Sequence, residues 1–181
     1  MDRSRVAMGG LSFGSEVAMW TATNSNLLAA VSIASGQSEA TKYWMDSMPG
    51  SDRPSIIREV WGLARPEETP SRWKLVSPAL NAERIRAPVL FQLPEQEARM
   101  IPELYARLSA ANIPTELYAF SDEDHFKLQP RHRLAVYERN LDWFRYWLQD
   151  HRDPDEGKAG QYQRWNALKE RWRRTSRSAT P

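Results

Sequence analysis

This chain predicts an α/β fold with a parallel sheet of about four strands, and three observations carry that expectation. Apolar runs of strand length at residues 27–34 and 88–93 are continuous rather than alternating, the pattern of strands covered on both faces. Segments with helical spacing lie between and after them, so strand and helix alternate along the chain. Near the start, Met8-Gly9-Gly10-Leu11-Ser12-Phe13-Gly14-Ser15-Glu16 joins a short apolar run to a helix-like segment through closely spaced glycines.

Taken in order, Arg5-Val6-Ala7-Met8 reads as the end of a first strand. Val17, Ala18, Met19 and Ala22 then suit a helix over residues 15–23, which Asn24-Ser25-Asn26 breaks. Residues 27–34 form the second strand. Residues 36–86 mix Pro, Gly and Trp and read as a helical insertion over the sheet, with one helix near residues 53–63. The third strand, 88–93, leads into a polar loop, Pro94-Glu95-Gln96-Glu97-Ala98-Arg99, and a helix over 102–111 with proline in its first turn. Residues 115–120 make the fourth strand, followed by the loop Ser121-Asp122-Glu123-Asp124-His125. A long amphipathic helix covers 131–149. The division expected is a domain over 1–150, then a polar linker and a basic helical tail over 151–181.

The 181 residues suffice for one domain, and 41% hydrophobic with 27% charged residues places it with globular rather than disordered chains. With no cysteine, disulfides, thiolate nucleophiles and cysteine metal sites are excluded, and no metal or organic cofactor is expected. No apolar run approaches the ~20 residues that span a bilayer. Met1-Asp2-Arg3-Ser4-Arg5 leads into no apolar segment of signal-peptide type, so a cytoplasmic location is the expectation. Arg164, Lys169, Arg171, Arg173, Arg174 and Arg177 face a single acid, Glu170, yet the net charge is only +2. That basic stretch reads as the solvated end of a terminal helix, not as a nucleic-acid surface.

Gly10-Leu11-Ser12-Phe13-Gly14 fits the G-x-S-x-G turn that presents a nucleophilic serine between a strand and a helix. Small residues are expected at both Gly10 and Gly14, where side chains would meet the adjoining strand and helix. A serine hydroxyl needs a base to take its proton and an acid to orient that base. On this fold they follow in the order serine, acid, histidine, each from a loop after a later strand. His125 is the favoured base; His132 and His151 read as solvated. Glu97 is the favoured acid because it lies farther from the strand end, where the loop turns back toward His125. Glu95 remains a rival, since two residues apart in an extended loop the two carboxylates point the same way. Asp122 and Asp124 read as surface or turn residues.

Arg5-Val6 through Gly14-Ser15-Glu16, Ala87-Pro88-Val89-Leu90, Glu123-Asp124-His125, Tyr137-Glu138-Arg139 and Trp143-Phe144 together resemble the α/β-hydrolase catalytic domain of the prolyl oligopeptidase family over about residues 2–150. Three stretches, "LPEQE", "TELYAFSDEDHFKLQP" and "DPDEGKAGQYQRW", resemble the lasso-peptide isopeptidases within it. The resemblance implies a serine hydrolase that cleaves peptide or isopeptide bonds through an acyl-enzyme without a cofactor, on a peptide that could be a lasso peptide. It casts Ser12 as nucleophile, His125 as base and then acid, Glu97 as orienting acid, and the Phe13 backbone N–H as an oxyanion donor. Departures are Leu93-Pro94 where the family commonly has His-Gly, and a glutamate where it has an aspartate. The family's β-propeller, its earlier sheet strands and a tyrosine oxyanion donor would lie upstream, so the chain reads as a C-terminal piece whose first strand is an exposed edge. Two rivals stay open: an esterase-type hydrolase, and a non-catalytic fragment that is inert or only binds.

Overall fold

Four strands pair in parallel in the order β1 (Ala7–Gly10), β2 (Ala30–Ile33), β3 (Val89–Pro94) and β4 (Thr115–Phe120). The computed structural model describes residues 2–36 and 53–178. Gly10 aligns with Ile33, Ile33 with Phe91 and Phe91 with Leu117, so the carboxyl ends of all the strands open on one rim. Loops on that rim of a parallel sheet are where ligands bind. β2 and β3 are buried at every position, which is why their sequences run apolar without alternation. β1 is an edge of this sheet, as expected of it.

The pleat of β3 sends Val89, Phe91 and Leu93 to one face and Leu90 to the other. On the first face pack Ala18, Met19 and Ala22 of α1 (Phe13–Asn24), the 3-10 turn Ala79–Arg84, and Leu104 and Leu108 of a later helix, Pro102–Ala110. The insertion between β2 and β3 includes α2 (Arg53–Trp61) and α3 (Pro70–Val76), joined through Ile57, Leu63 and Trp73. The remainder of the insertion, 37–52, lies outside the described residues. After β3 come α4 (Glu95–Ala98), α5 (Pro102–Ala110) and, past β4, α6 (Pro130–Gln149) and α7 (Ala159–Ser178). The second face is aromatic: Trp143 and Tyr146 of α6 and Tyr162 and Trp165 of α7 cover Ala30 and Leu90.

Several expectations need correction. α1 begins at Phe13, two residues earlier than its apolar spacing indicates, because the turn runs directly into the helix. The segment after β3 is a helical turn, not an extended loop. Part of the polar linker is a 3-10 turn, Glu156–Lys158, capped by Asp155, whose Oδ1 accepts the Gly157 N–H at 2.8 Å. The terminal helix keeps its basic side chains Arg171, Arg173 and Arg174 in solvent, as expected, but its other face is packed. Trp165 is fully buried, Arg164 Nε donates to Glu116 of β4 at 2.6 Å, and Lys169 Nζ reaches Asp150 at 2.6 Å. Tyr162, Trp165 and Leu168 thus join the aromatic core of the preceding domain. Among the described residues, no helix is long and apolar enough to cross a membrane.

Candidate active site

Ser12 sits between the end of β1 and the first residue of α1 with φ 58° and ψ −130°, a backbone conformation that costs a non-glycine residue about 1–3 kcal/mol. The surroundings hold it there. Its N–H donates to the Ser35 carbonyl at 2.8 Å, its own carbonyl accepts the Ser15 N–H at 2.8 Å, and Ser15 Oγ donates to the Gly10 carbonyl at 2.7 Å. Gly10 is required: a Cβ there would lie 2.1 Å from the Gly14 carbonyl carbon and 2.4 Å from the Ser15 nitrogen. Gly14 is not, because a Cβ at that position meets nothing within 4 Å. Only the first glycine of the motif is demanded by contact, since position 14 already lies on the open side of α1. The Phe13 N–H, first in α1, has no acceptor within the helix and stands at its positive end.

His125 and Glu97 come together. His125 Nδ1 lies 2.7 Å from Glu97 Oε1, and Glu97 Oε2 accepts the Gly36 N–H at 2.9 Å. With Nδ1–H donating to the carboxylate, the ring's lone pair is left on Nε2. Glu97 is 8% exposed, while His125 is half-buried. Glu95 turns to solvent and pairs with Arg99. The helical turn explains the separation. Each residue advances about 100°, so positions two apart diverge by about 200°, whereas an extended loop would have aimed both carboxylates the same way. Asp122 and Asp124 are exposed, Asp122 with φ 54° in a turn. His151 is exposed.

His132 departs from its expected solvation. Its Nδ1 lies 2.7 Å from Oε1 of buried Glu123, whose carboxylate also accepts the Leu128 N–H at 2.6 Å and the Gln129 N–H at 3.1 Å. Burial pulls the Glu123 carboxyl up, but these two amides and His132 outweigh it and hold the group below the ordinary carboxylate value. Glu123 thereby closes the loop that presents His125. Ser35, Gly36 and Lys127 were equally missed. Lys127 Nζ donates to Ser35 Oγ at 2.7 Å and is 7% exposed. The one signal for them was position: Ser35-Gly36 at the end of an apolar strand, and a lysine two residues past the histidine.

A cleft of about 400 Å³ opens beside the turn, lined by Gly10, Leu11, Phe126, Lys127 and Tyr137 among others. A second hollow of about 280 Å³, formed by Phe13, Val17, Trp20, Trp61 and Val76 with Glu16 among them, is mostly apolar. Among the described residues no group of three or more acids and histidines is placed to hold a metal. A strained serine at a helix N-terminus and a carboxylate-held imidazole are groups of the kind that acyl-transfer chemistry uses.

The sequence model of the prolyl oligopeptidase family matches residues 1–151. The lasso peptide isopeptidase AtxE2 of Asticcacaulis excentricus is 36% identical over 182 positions, which cover 100% of this chain and 26% of AtxE2. Among solved structures, AtxE2 without ligand superposes with a TM-score of 0.80 at 35% identity, covering 94% of this chain and 26% of the other. An AtxE2 variant with Astexin3-dC4 bound gives a TM-score of 0.82 at 34% identity with the same coverage, 94% and 26%. The acylaminoacyl peptidase of Pyrococcus horikoshii shares the fold, with a TM-score of 0.64 at 21% identity over 87% of this chain and 26% of that one. The chain therefore spans about a quarter of the length of these relatives.

Proposed function

The chain belongs to the prolyl oligopeptidase family, and from that premise we propose that it carries the catalytic serine, histidine and acid of a serine peptidase that cleaves peptide or isopeptide bonds. Ser12 Oγ attacks the substrate carbonyl as His125 Nε2 takes its proton. Glu97, bonded to Nδ1–H, fixes the imidazole tautomer and stabilises the imidazolium. The Phe13 N–H at the start of α1 stabilises the developing oxyanion. His125 then protonates the leaving amine, and water resolves the acyl-enzyme by the reverse roles.

The observation that carries this reading is the Nδ1 to Oε1 contact of 2.7 Å, made by a carboxylate whose other oxygen is also bound. An imidazole held on that side has one orientation and one free nitrogen. The substrate proposed is a peptide closed by an isopeptide bond, which the likeness to a lasso peptide isopeptidase and to its peptide-bound structure supports.

Labelling with a fluorophosphonate, followed by mass spectrometry, tests the nucleophile. The label is expected on Ser12 and lost in Ser12→Ala; undiminished labelling of the variant sinks the assignment. Comparing turnover of a ring closed by an isopeptide bond with that of a simple aryl ester then separates the isopeptidase from an esterase.

A further inference from the structure

The three groups of the proposed site come from three different elements, and one two-residue segment touches all of them. At the end of β2, the Ser35 carbonyl accepts the Ser12 N–H at 2.8 Å. Gly36 N–H donates to Glu97 Oε2 at 2.9 Å. Ser35 Oγ lies 2.7 Å from the His125 carbonyl and 2.5 Å from the Ala34 carbonyl, so its single proton is directed at these two acceptors. What directs it is Lys127, whose Nζ donates to the same oxygen at 2.7 Å and so occupies a lone pair. Gly36 suits its place, with φ 149° and a Cβ position 2.8 Å from Ser15 Cβ and 3.0 Å from the Ser12 carbonyl.

Lys127 is an expensive residue to bury. A lysine kept for packing leaves its stem against apolar surface and its head in water. Here the side chain runs inward, 7% exposed, with its ammonium 5.9 Å from the Phe120 ring centroid. The carboxylates of Glu97 and Glu123 act on it through their charge, and Arg133 lines the same cleft. Apolar residues of similar volume often replace buried charges without loss of stability, so packing alone does not account for a lysine here.

Resting on the proposed function, we propose that Lys127 and Ser35 are positioning residues: the ammonium, through the Ser35 hydroxyl, fixes the segment after β2 against the His125 backbone and keeps serine, acid and histidine in one register. Burial pushes the Lys127 amine down to about 8, against the pull of Glu97 and Glu123, so the clamp is protonated at neutral pH and released in mild alkali.

The test follows fluorophosphonate labelling rates against pH, and hydrogen exchange at the Ser12 and Gly36 amides, in the wild type, Lys127→Met and Ser35→Ala. The wild-type labelling rate is expected to fall above about pH 8, where Lys127 loses its proton, and K127M to lack that alkaline limb and label about tenfold or more slowly at neutral pH. S35A is expected to slow labelling about tenfold, and both variants to exchange the two amides faster than wild type. Wild-type labelling rates in both variants, or a wild-type alkaline limb in a folded K127M, overturn the proposal. If K127M does not fold, S35A decides alone, because wild-type labelling there overturns the clamp. If wild-type Ser12 takes no label, the peptidase reading fails; unchanged exchange of the two amides in the variants then overturns the clamp, and faster exchange upholds it.

Discussion

At the scale of the residue, two glutamates two positions apart have opposite fates because a helical turn separates their side chains. Glu97 is enclosed and bound at both oxygens, to His125 and to the Gly36 amide. Glu95 shares an exposed ion pair with Arg99, the kind that contributes about 0–1 kcal/mol. Under the proposed function, Glu97→Gln removes the charge that stabilises the imidazolium and lets the ring settle in the wrong tautomer. Its turnover of a peptide or ester substrate is expected to fall by about two to four orders of magnitude. Glu95→Gln is expected to stay within about twofold. Equal losses in steady-state assays of the two variants would contradict the assignment. The placement of Ser12 and His125 on the sheet's carboxyl rim was legible from a motif and from chain order, since each stands in a loop after its own strand. Glu95 stayed open as a rival because an extended loop would aim both carboxylates alike, whereas the chain forms a helical turn there. Ser35 and Lys127 carried no signal beyond their position, because their contact spans 92 positions.

At the scale of the element, the β1–α1 junction depends on one glycine, and the histidine loop on one buried carboxylate, that a single substitution can remove. A Cβ on Gly10 would overlap the backbone of α1's first turn, at 2.1 Å from a Gly14 atom. Gly10→Ala is therefore expected to destabilise the fold by about 3 kcal/mol or more, or to move Ser12 and abolish its labelling. Gly14→Ala fills open space inside a helix and is expected to stabilise by about 0.5–1 kcal/mol. Thermal unfolding of the pair measures the contrast that the symmetric motif conceals. In the loop after β4, Glu123 binds Leu128, Gln129 and His132, and its folded-state carboxyl lies below the ordinary 4.5. The unfolded chain thus takes up the proton first as pH falls. The stabilisation by Glu123 is complete at neutral pH, declines below about pH 4.5 and is gone below the folded-state value. Urea unfolding of wild type and Glu123→Gln should show a stability gap at pH 7 that narrows at pH 3. A gap that widens in acid would mean that the carboxylate is not what closes the loop.

At the scale of the whole molecule, the parallel sheet and its helical layers were legible because β2 and β3 are continuous apolar runs, a pattern that only two covered faces permit. The identity of the second cover was not. The terminal helix has a strongly basic sequence, and nothing local distinguishes its inward stripe of Tyr162 and Trp165 from an ordinary amphipathic surface. What places it is tertiary: Trp165 stacks edge-on to Trp143 at 5.0 Å between ring centroids, lies 5.2 Å from Tyr162, and meets Glu116 of β4 through its indole N–H. The family match ends at residue 151, yet α7 lies beyond it and completes the face over Ala30 and Leu90. The layer is therefore part of the fold, and its removal should be felt globally. Trp165→Ala is expected to cost about 3–5 kcal/mol, as for other fully buried aromatic side chains. Arg171→Ala, on the exposed side of the same helix, should change stability by no more than about 0.5 kcal/mol. Chemical unfolding of the two variants compares them directly. Equal small effects would mean that α7 is dispensable; a large loss confined to Trp165 makes the terminal helix the outer half of the second core.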